Sequence, residues 1–200
     1  MDISTLKREY QKRKHEIKQR LNEFKQQKDH FYELCFCVLT PQSNAYKCDE
    51  CVQVLKSSGF ANRNIEIRHI LQKYTRFHNN KSKYLIRVKE TKNEIFNELN
   101  KLGKPADKRA YLVKNVKGLG LKEASHFLRN VGHENLAILD RHILKNLHKL
   151  NIIKEIPKTL TKKVYLDIEE KFKDFSKKIN IPIDELDLLF WSMETGKVFK

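Results

Sequence analysis

Apolar residues recur along most of the chain at intervals of three and four, which is the spacing of one face of an α-helix. The clearest stripes are Leu6, Tyr10, Ile17, Leu21 and Phe24 near the start, and Val164, Ile168, Phe172, Phe175 and Ile179 after Pro157. No stretch alternates between apolar and polar residues with a period of two between turn signals. The pattern therefore predicts an all-α fold.

Prolines indicate where several of these helices begin and end. Pro41 closes an apolar helix, because the residue before a proline is pushed out of helical geometry. Pro105 and Pro182 suit the first turn of a helix, where a missing N–H costs nothing. Thr91 and Glu94 have the spacing of a capping box, so they predict a further helix start within the middle of the chain.

The last predicted helix carries apolar residues on two faces. One stripe is Leu186, Leu189, Phe190 and Met193, and the other is Leu188 and Trp191. A helix of this kind must be packed on both sides or must line a pocket. Trp191 is the residue for which the second alternative stays open.

The chain has a strong excess of positive charge. Its 200 residues include 41 Lys and Arg against 25 Asp and Glu, a formal net charge of +16. A polyanionic partner, most commonly nucleic acid, is the first interpretation, and a Lys-rich surface that favours solubility or thermal stability is the alternative. No apolar run reaches membrane-spanning length and residues 1–6 contain no signal core, so we expect a cytoplasmic protein.

The four cysteines raise the question of a metal site. Cys48 and Cys51 form a Cys-x-x-Cys pair, a spacing used by zinc and iron–sulfur centres. Cys35 and Cys37 lie within the apolar run 31–39, where thiols pack as small hydrophobic groups, and residues two apart on a helix point to different sides. We therefore expect no metal, with Cys48 and Cys51 incidental.

The most informative segment is the hairpin Gly118-Leu119-Gly120. An apolar helix precedes it, and residues 124–128 continue it with helical spacing, which predicts a helix, a tight turn and a second helix. The two glycines permit positive φ and a close approach of another backbone. The free N–H groups at the start of the second helix can bind phosphate, so we expect Gly118 and Gly120 to contact the phosphate backbone of a nucleic acid.

Two residues after the hairpin suggest catalysis. Lys122 falls in the first turn of the second helix, where the helix dipole disfavours positive charge and so favours the neutral amine that a nucleophile requires. Asp140 ends the apolar run Ile138-Leu139. It is either the N-cap of a following helix or a catalytic carboxylate at a dry edge, and both roles can coexist.

The segment from Lys117 to Gly132, together with Leu139-Asp140-Arg141-His142, resembles the helix-hairpin-helix DNA glycosylase superfamily, and within it the archaeal-type 8-oxoguanine DNA glycosylase/AP lyases. The resemblance extends over nearly the whole chain. It implies a base excision repair enzyme, archaeal or bacterial and associated with the nucleoid, whose partner is double-stranded DNA containing 8-oxoguanine or an abasic site. A monomer with no cofactor is expected, although the hairpin carbonyls could hold a monovalent cation.

The resemblance also implies roles for individual residues. Lys122 attacks C1′ of the damaged nucleoside and forms a Schiff base, and Asp140 assists deprotonation and stabilises positive charge on the sugar. The remaining matched positions form the pocket for the flipped base: Phe77 and Trp191 sandwich it, Asp187 accepts its N–H donors, and Lys200 contributes its carboxylate. Without the resemblance, Phe77 could be an ordinary core residue and Asp187 a solvated first-turn acid.

The expected architecture has two helical lobes with an active-site cleft between them. One lobe comprises residues 29–131 and ends with the hairpin, and the other comprises 1–28 and 132–200, so that Asp140 faces Lys122. Three alternatives stay open: a helix-hairpin-helix binding module without catalysis, a glycosylase for oxidised pyrimidines or mismatched bases, and an RNA-binding protein.

Overall fold

The structure, a computed structural model, describes residues 1–200 and contains helices but no β-strand. The all-α prediction is therefore confirmed. The ten helices are α1 Ile3–Lys25, α2 His30–Leu39, α3 Ala45–Ser57, α4 Arg68–Gln72, α5 His78–Lys101, α6 Pro105–Asn115, α7 Leu121–Asn130, α8 Arg141–Lys149, α9 Lys162–Ile179 and α10 Ile183–Thr195. None of them combines the length and the apolar character that a membrane crossing requires.

The chain divides into two compact units. The terminal unit contains residues 1–27 and 128–200, and the middle unit contains residues 28–127. The second boundary falls within α7, a few residues before the division between 131 and 132 that the sequence analysis expects.

The terminal unit is organised around α10. This helix packs against α1, α8 and α9, so both of its apolar stripes are covered. Leu186, Leu188 and Phe190 are each at most 1% exposed, and the ring of Phe190 stacks on Phe172 of α9 with a centroid separation of 5.9 Å. Packing on both sides, which the sequence pattern predicts, is confirmed for these residues.

The middle unit is built around α2, in which every residue from Phe31 to Leu39 is buried. This helix contacts α3 and α5, and α5 also contacts α4 and α6. The helix ends at Leu39, as Pro41 predicts, but Thr40 keeps helical dihedral angles (φ −69°, ψ −29°), so the helix ends without the residue before the proline leaving helical geometry. All four cysteines are buried, and burial raises the pKa of the Cys51 thiol to about 12, so Cys51 is a packed thiol rather than a reactive one.

The predicted helix start at Thr91 is wrong. Helix α5 runs without interruption from His78 to Lys101, and the Thr91 hydroxyl donates to the Arg87 carbonyl one turn earlier at 2.9 Å. The hydroxyl therefore bonds within a continuous helix instead of capping a new one. No glycine or proline interrupts this stretch, and the buried stripe continues through it to Ile95 and Leu99.

The turn between α6 and α7 depends on a contact made by Gly118. Its φ is +97°, and a Cβ added there would lie 2.7 Å from Cδ2 of the Tyr84 ring on α5. Tyr84 thus packs directly against the hairpin backbone. Only glycine satisfies both the backbone conformation and this close approach.

We predict that Gly118→Ala lowers the free energy of unfolding by about 1–3 kcal/mol, the usual cost of holding a non-glycine residue at positive φ. Gly103→Ala is the matched control, because no atom lies within 4 Å of its added Cβ and its φ is not positive. The control should be neutral or slightly stabilising. Urea denaturation of the two variants measures the difference, and equal stability would contradict the role given to Gly118.

Candidate active site

Lys122 lies directly after the hairpin, at the start of α7. The Gly120 carbonyl accepts the first helical bond, from Ala124 N–H at 3.0 Å. The Glu123 carboxylate reaches back to Gly120 N–H, with Oε2 at 3.2 Å from the nitrogen. This bond satisfies one of the N–H groups at the helix start, as the Glu of a capping box does. It also fixes the first turn of α7, which carries Lys122.

The Lys122 side chain is partly shielded and weakly paired. It is 25% exposed, and its nearest carboxylate oxygen, Oε1 of Glu123, lies 3.4 Å from Nζ. That separation is long for a charge-assisted hydrogen bond, which usually measures 2.7–2.9 Å. The other Glu123 oxygen is committed to Gly120 N–H. The Lys122 amine is therefore not locked into a short ion pair.

Asp140 is the N-cap of α8, as one of the two sequence alternatives predicts. Its Oδ1 accepts from His142 N–H at 2.8 Å and from Ile143 N–H at 2.9 Å. Both bonds use the same oxygen, and the carboxylate lies at the positive end of α8, where negative charge is stabilised. The cap fixes the orientation of the carboxylate and leaves Oδ2 to interact with other groups.

The segment that leads to Asp140 is held rigidly in the terminal unit. Residues 136–139 are buried but lie outside any helix. The Glu169 carboxylate of α9 accepts from Ala137 N–H at 2.8 Å, and the Tyr165 hydroxyl accepts from Leu139 N–H at 3.5 Å. These side chains supply the partners that a buried irregular backbone needs. Asp140 therefore emerges from an anchored segment.

Phe77 is an exposed aromatic residue in an unusual conformation. It is 52% exposed, so the core alternative is wrong. It is the N-cap of α5 with φ 59° and ψ 32°, a left-handed conformation that a bulky residue rarely adopts. The Arg76 guanidinium carbon lies 5.4 Å from the centre of its ring. With Arg76 over one face, the exposed ring can present its other face for stacking.

Asp187 is buried at 6% exposure, so the solvated alternative for this acid is wrong as well. Its Oδ2 lies 3.3 Å from Nη1 of Arg129, which is only 2% exposed. The Arg129 guanidinium also lies 5.0 Å from the centre of the Phe24 ring. The Asp187 carboxylate therefore lies beside a buried cation, in an ion pair that is shielded from solvent.

The C-terminal segment returns to α10. The ring of Phe199 lies 5.9 Å from that of Trp191, with 32° between their planes. Trp191 and Lys200 are both partly exposed. Within the terminal unit, Asp187 and Trp191 lie one turn apart on α10, and the last residues lie beside Trp191. Within the middle unit, Gly118, Gly120 and Lys122 lie together at the hairpin.

Sequence reasoning missed three buried cations, of which Lys81 and Arg129 bear on the candidate site and Arg109 lies elsewhere. Lys81 is 4% exposed and occupies the same helix face as Leu85 and Val88. Arg129 follows the buried residues Phe127 and Leu128. A charged residue on an otherwise apolar stripe is the signal that could have identified both, because buried charges need specific partners.

The chain is all-helical and contains a glycine hairpin, a lysine in the next helical turn and a capping aspartate further on. This is the organisation of the helix-hairpin-helix DNA glycosylases. The model of one family within that class, described as 8-oxoguanine DNA glycosylase, matches residues 11–181. The chain belongs to this family.

Individual relatives agree with this assignment. The chain is 50% identical over 184 residues to an 8-oxoguanine DNA glycosylase/AP lyase of Fusobacterium nucleatum, with 86% of this chain and 83% of the relative covered. The crystal structure of the Methanocaldococcus jannaschii 8-oxoguanine glycosylase/lyase in complex with 8-oxoguanine DNA is similar with a TM-score of 0.90 at 36% identity, covering 99% of this chain and all of that one. The glycosylase of Thermotoga maritima gives a TM-score of 0.88 at 34% identity, covering 98% and 97%.

Asp184, one turn before Asp187 on α10, gives the terminal unit a pH-dependent stability. Burial raises the pKa of its carboxyl group from 3.8 to about 6, against the opposing effects of the Asn135 N–H bond and of Arg129. Between pH 4 and 6 the folded state therefore holds a proton that the unfolded state releases. The free energy of unfolding consequently falls as the pH rises through this window.

We predict that Asp184→Asn removes this penalty, because an amide oxygen can still accept the Asn135 N–H bond, which measures 3.1 Å. The stability of the variant relative to the unaltered protein should be greater at pH 7 than at pH 4 by about 2 kcal/mol. Urea denaturation at the two pH values provides the comparison. The same difference at both pH values would show that Asp184 does not carry the effect.

Proposed function

We propose that this protein excises 8-oxoguanine from duplex DNA and then cleaves the strand at the resulting abasic site. The observation that carries the proposal is Lys122, partly shielded and weakly paired immediately after a glycine hairpin. Membership of the 8-oxoguanine DNA glycosylase family over residues 11–181 supports the choice of substrate. The net charge of +16 suits a DNA partner. DNA as substrate implies a cytoplasmic protein that acts at the nucleoid.

The proposed chemistry begins with the amine of Lys122. It attacks C1′ of the damaged nucleoside, the glycosidic bond breaks with its electron pair passing to the base, and the base is protonated as it leaves. Opening of the sugar gives a Schiff base between Nζ and C1′. Loss of a proton from C2′ then expels the 3′ phosphate by β-elimination, and water releases the enzyme from the sugar.

In this scheme Asp140 has two tasks. Its carboxylate accepts the proton that the attacking amine loses and stabilises the positive charge that develops on the sugar. The cap bonds to His142 and Ile143 hold it in one orientation, so it needs no rearrangement during the reaction. We propose that Lys122 and Asp140 both act on the sugar of the damaged nucleoside.

The flipped base requires stacking surfaces and hydrogen-bond acceptors. We propose that Phe77 and Trp191 supply the stacking surfaces, that Asp187 accepts from the purine N–H groups, and that Lys200 completes the pocket. The Arg129 ion pair supports this assignment, because it holds a buried carboxylate one helical turn before Trp191. Gly118 and Gly120 contact the DNA backbone in this proposal. A monovalent cation at the hairpin stays a prediction, and no step depends on it.

We expect Lys122→Gln to abolish strand cleavage of duplexes that contain 8-oxoguanine or a preformed abasic site, since the amide has no nucleophilic nitrogen. Salt-sensitive binding to the same duplexes should persist, because most of the positive charge remains. Gel analysis of the strand and a binding titration measure the two effects. Cleavage by the variant at the rate of the unaltered protein would refute the role of Lys122.

Asp140→Asn separates capping from catalysis. Asparagine is as good an N-cap as aspartate, so the free energy of unfolding should change by less than about 1 kcal/mol. Base excision should slow roughly 100-fold or more, because the amide cannot accept the proton. Single-turnover excision and urea denaturation are measured on the same preparation. A loss of activity matched by a large loss of stability would leave Asp140 only its structural role.

A further inference from the structure

Phe77 adopts a conformation that its own sequence does not favour. A left-handed backbone costs a bulky residue on the order of 1–3 kcal/mol and persists only where the surroundings determine it. Its carbonyl accepts from Asn80 and Lys81 N–H, each at 3.0 Å, which begins α5. Those bonds account for the helix start but not for the position of residues 75–77, which precede it. Something else must hold this segment.

The Lys81 ammonium occupies the centre of the surrounding structure. Its Nζ lies 2.6 Å from the Leu39 carbonyl and 2.8 Å from the Pro41 carbonyl. It also lies 3.0 Å from the Ser43 hydroxyl and 2.8 Å from the Thr75 hydroxyl. Four neutral oxygens thus surround a group that has only three N–H donors.

The oxygens around Lys81 connect two segments of the middle unit, residues 39–43 and residues 75–77. The Thr75 hydroxyl lies 2.8 Å from that of Ser43 and 3.0 Å from the Leu39 carbonyl. The Ser43 hydroxyl accepts from Arg76 N–H at 3.0 Å. The network therefore fastens the residue directly before Phe77 to the end of α2.

Stability alone does not explain a lysine at this position. Lys81 is 4% exposed, and burial lowers the pKa of its ammonium group to about 8. No carboxylate contacts it, so the cost of burying the charge is offset by neutral acceptors, by the negative end of α2 and by a longer-range attraction to Glu123. An apolar residue of similar volume would avoid that cost. The ammonium is the group that can join several backbone and hydroxyl oxygens at one point.

We propose that Lys81 is a positioning residue that fixes the Phe77 ring for stacking on the flipped base, by tying residues 75–77 to residues 39–43. The inference rests on the proposed function, in which Phe77 forms one wall of the base pocket. It assigns Lys81 no contact with DNA and no step in the chemistry. Lys81 should therefore affect the excision of 8-oxoguanine, which needs the base in its pocket. It should not affect strand cleavage at a preformed abasic site, where no base is present.

A double-mutant cycle of Lys81→Met and Phe77→Ala tests this coupling. Stacking of a base on an aromatic ring contributes about 1–3 kcal/mol, so Phe77→Ala should slow single-turnover excision of 8-oxoguanine roughly 5- to 150-fold. Lys81→Met should slow it several-fold but by no more than Phe77→Ala does, and the double variant should be no slower than Phe77→Ala alone. Cleavage at a preformed abasic site should change less than about 3-fold in all three variants.

Two further variants keep the test decisive. Lys92→Met is the matched control, because Lys92 lies on the same helix and tethers another loop through the Ala61 carbonyl at 2.7 Å. It should leave both reactions unchanged. Ser43→Ala removes one oxygen of the network and retains the ammonium, so it covers the case in which Lys81→Met does not fold. It should slow excision a few-fold, with no additional loss in the Phe77→Ala background.

The outcomes separate this inference from the proposed function. The positioning role would be overturned if the losses for Lys81→Met and Phe77→Ala were additive. It would also be overturned if Lys81→Met slowed excision and abasic-site cleavage equally. Either result would leave the proposed function intact. If Phe77→Ala itself excised 8-oxoguanine normally, the pocket assignment would fail first. Failure of the unaltered protein to excise 8-oxoguanine would refute the proposed function itself.

Discussion

The contact between the Tyr84 ring and the backbone of Gly118 is the constraint on which the candidate site depends. With 2.7 Å between Cδ2 of that ring and the point where a Cβ would lie, α6 can turn into α7 only through a glycine. The turn exposes the N–H groups that begin α7 and sets the direction of its first turn. The position of Lys122 is therefore a consequence of packing between α5 and the hairpin, and not of the lysine itself.

Structural and chemical roles coincide at several residues of the site. Asp140 caps α8 through one oxygen, and its second oxygen is left for the chemistry that we propose. Glu123 completes the start of α7 while leaving Lys122 only loosely paired. Such residues gain rigidity from the fold, which means that a catalytic group needs little reorganisation during the reaction. Because one oxygen of Asp140 caps α8 and the other does not, capping and catalysis are compatible roles for this residue.

Helices, their ends at proline and the glycine hairpin could be predicted from the sequence because each depends on neighbouring residues. The family could be assigned by resemblance for the same reason, since its motif is local and specific. The match of the family model to residues 11–181 confirms that assignment. Thr91 shows the limit of local rules: its spacing to Glu94 fits a capping box, but the apolar stripe of α5 continues across it. The helix continues because burial of Ile95 and Leu99 contributes more free energy than the one capping hydrogen bond that a new helix start would gain.

Features that depend on distant segments could not be predicted. The partners of Lys81 come from residues 39–43 and 75, and the ion pair of Arg129 is with Asp187, far along the chain. The left-handed conformation of Phe77 likewise follows from packing, because phenylalanine has no preference for it. The roles of Lys122, Asp140 and the base pocket stay predictions, for which the local geometry and the family provide the support.

Borohydride trapping on a duplex with a single 8-oxoguanine, followed by peptide mapping of the adduct, tests the central claim most directly. Reduction converts a Schiff base into a stable bond, so the modified residue identifies the nucleophile. The account predicts one covalent adduct, formed with the damaged duplex and not with an undamaged one, on the peptide that contains Lys122. An adduct on a different lysine, or none from a protein that still binds the DNA, would contradict it.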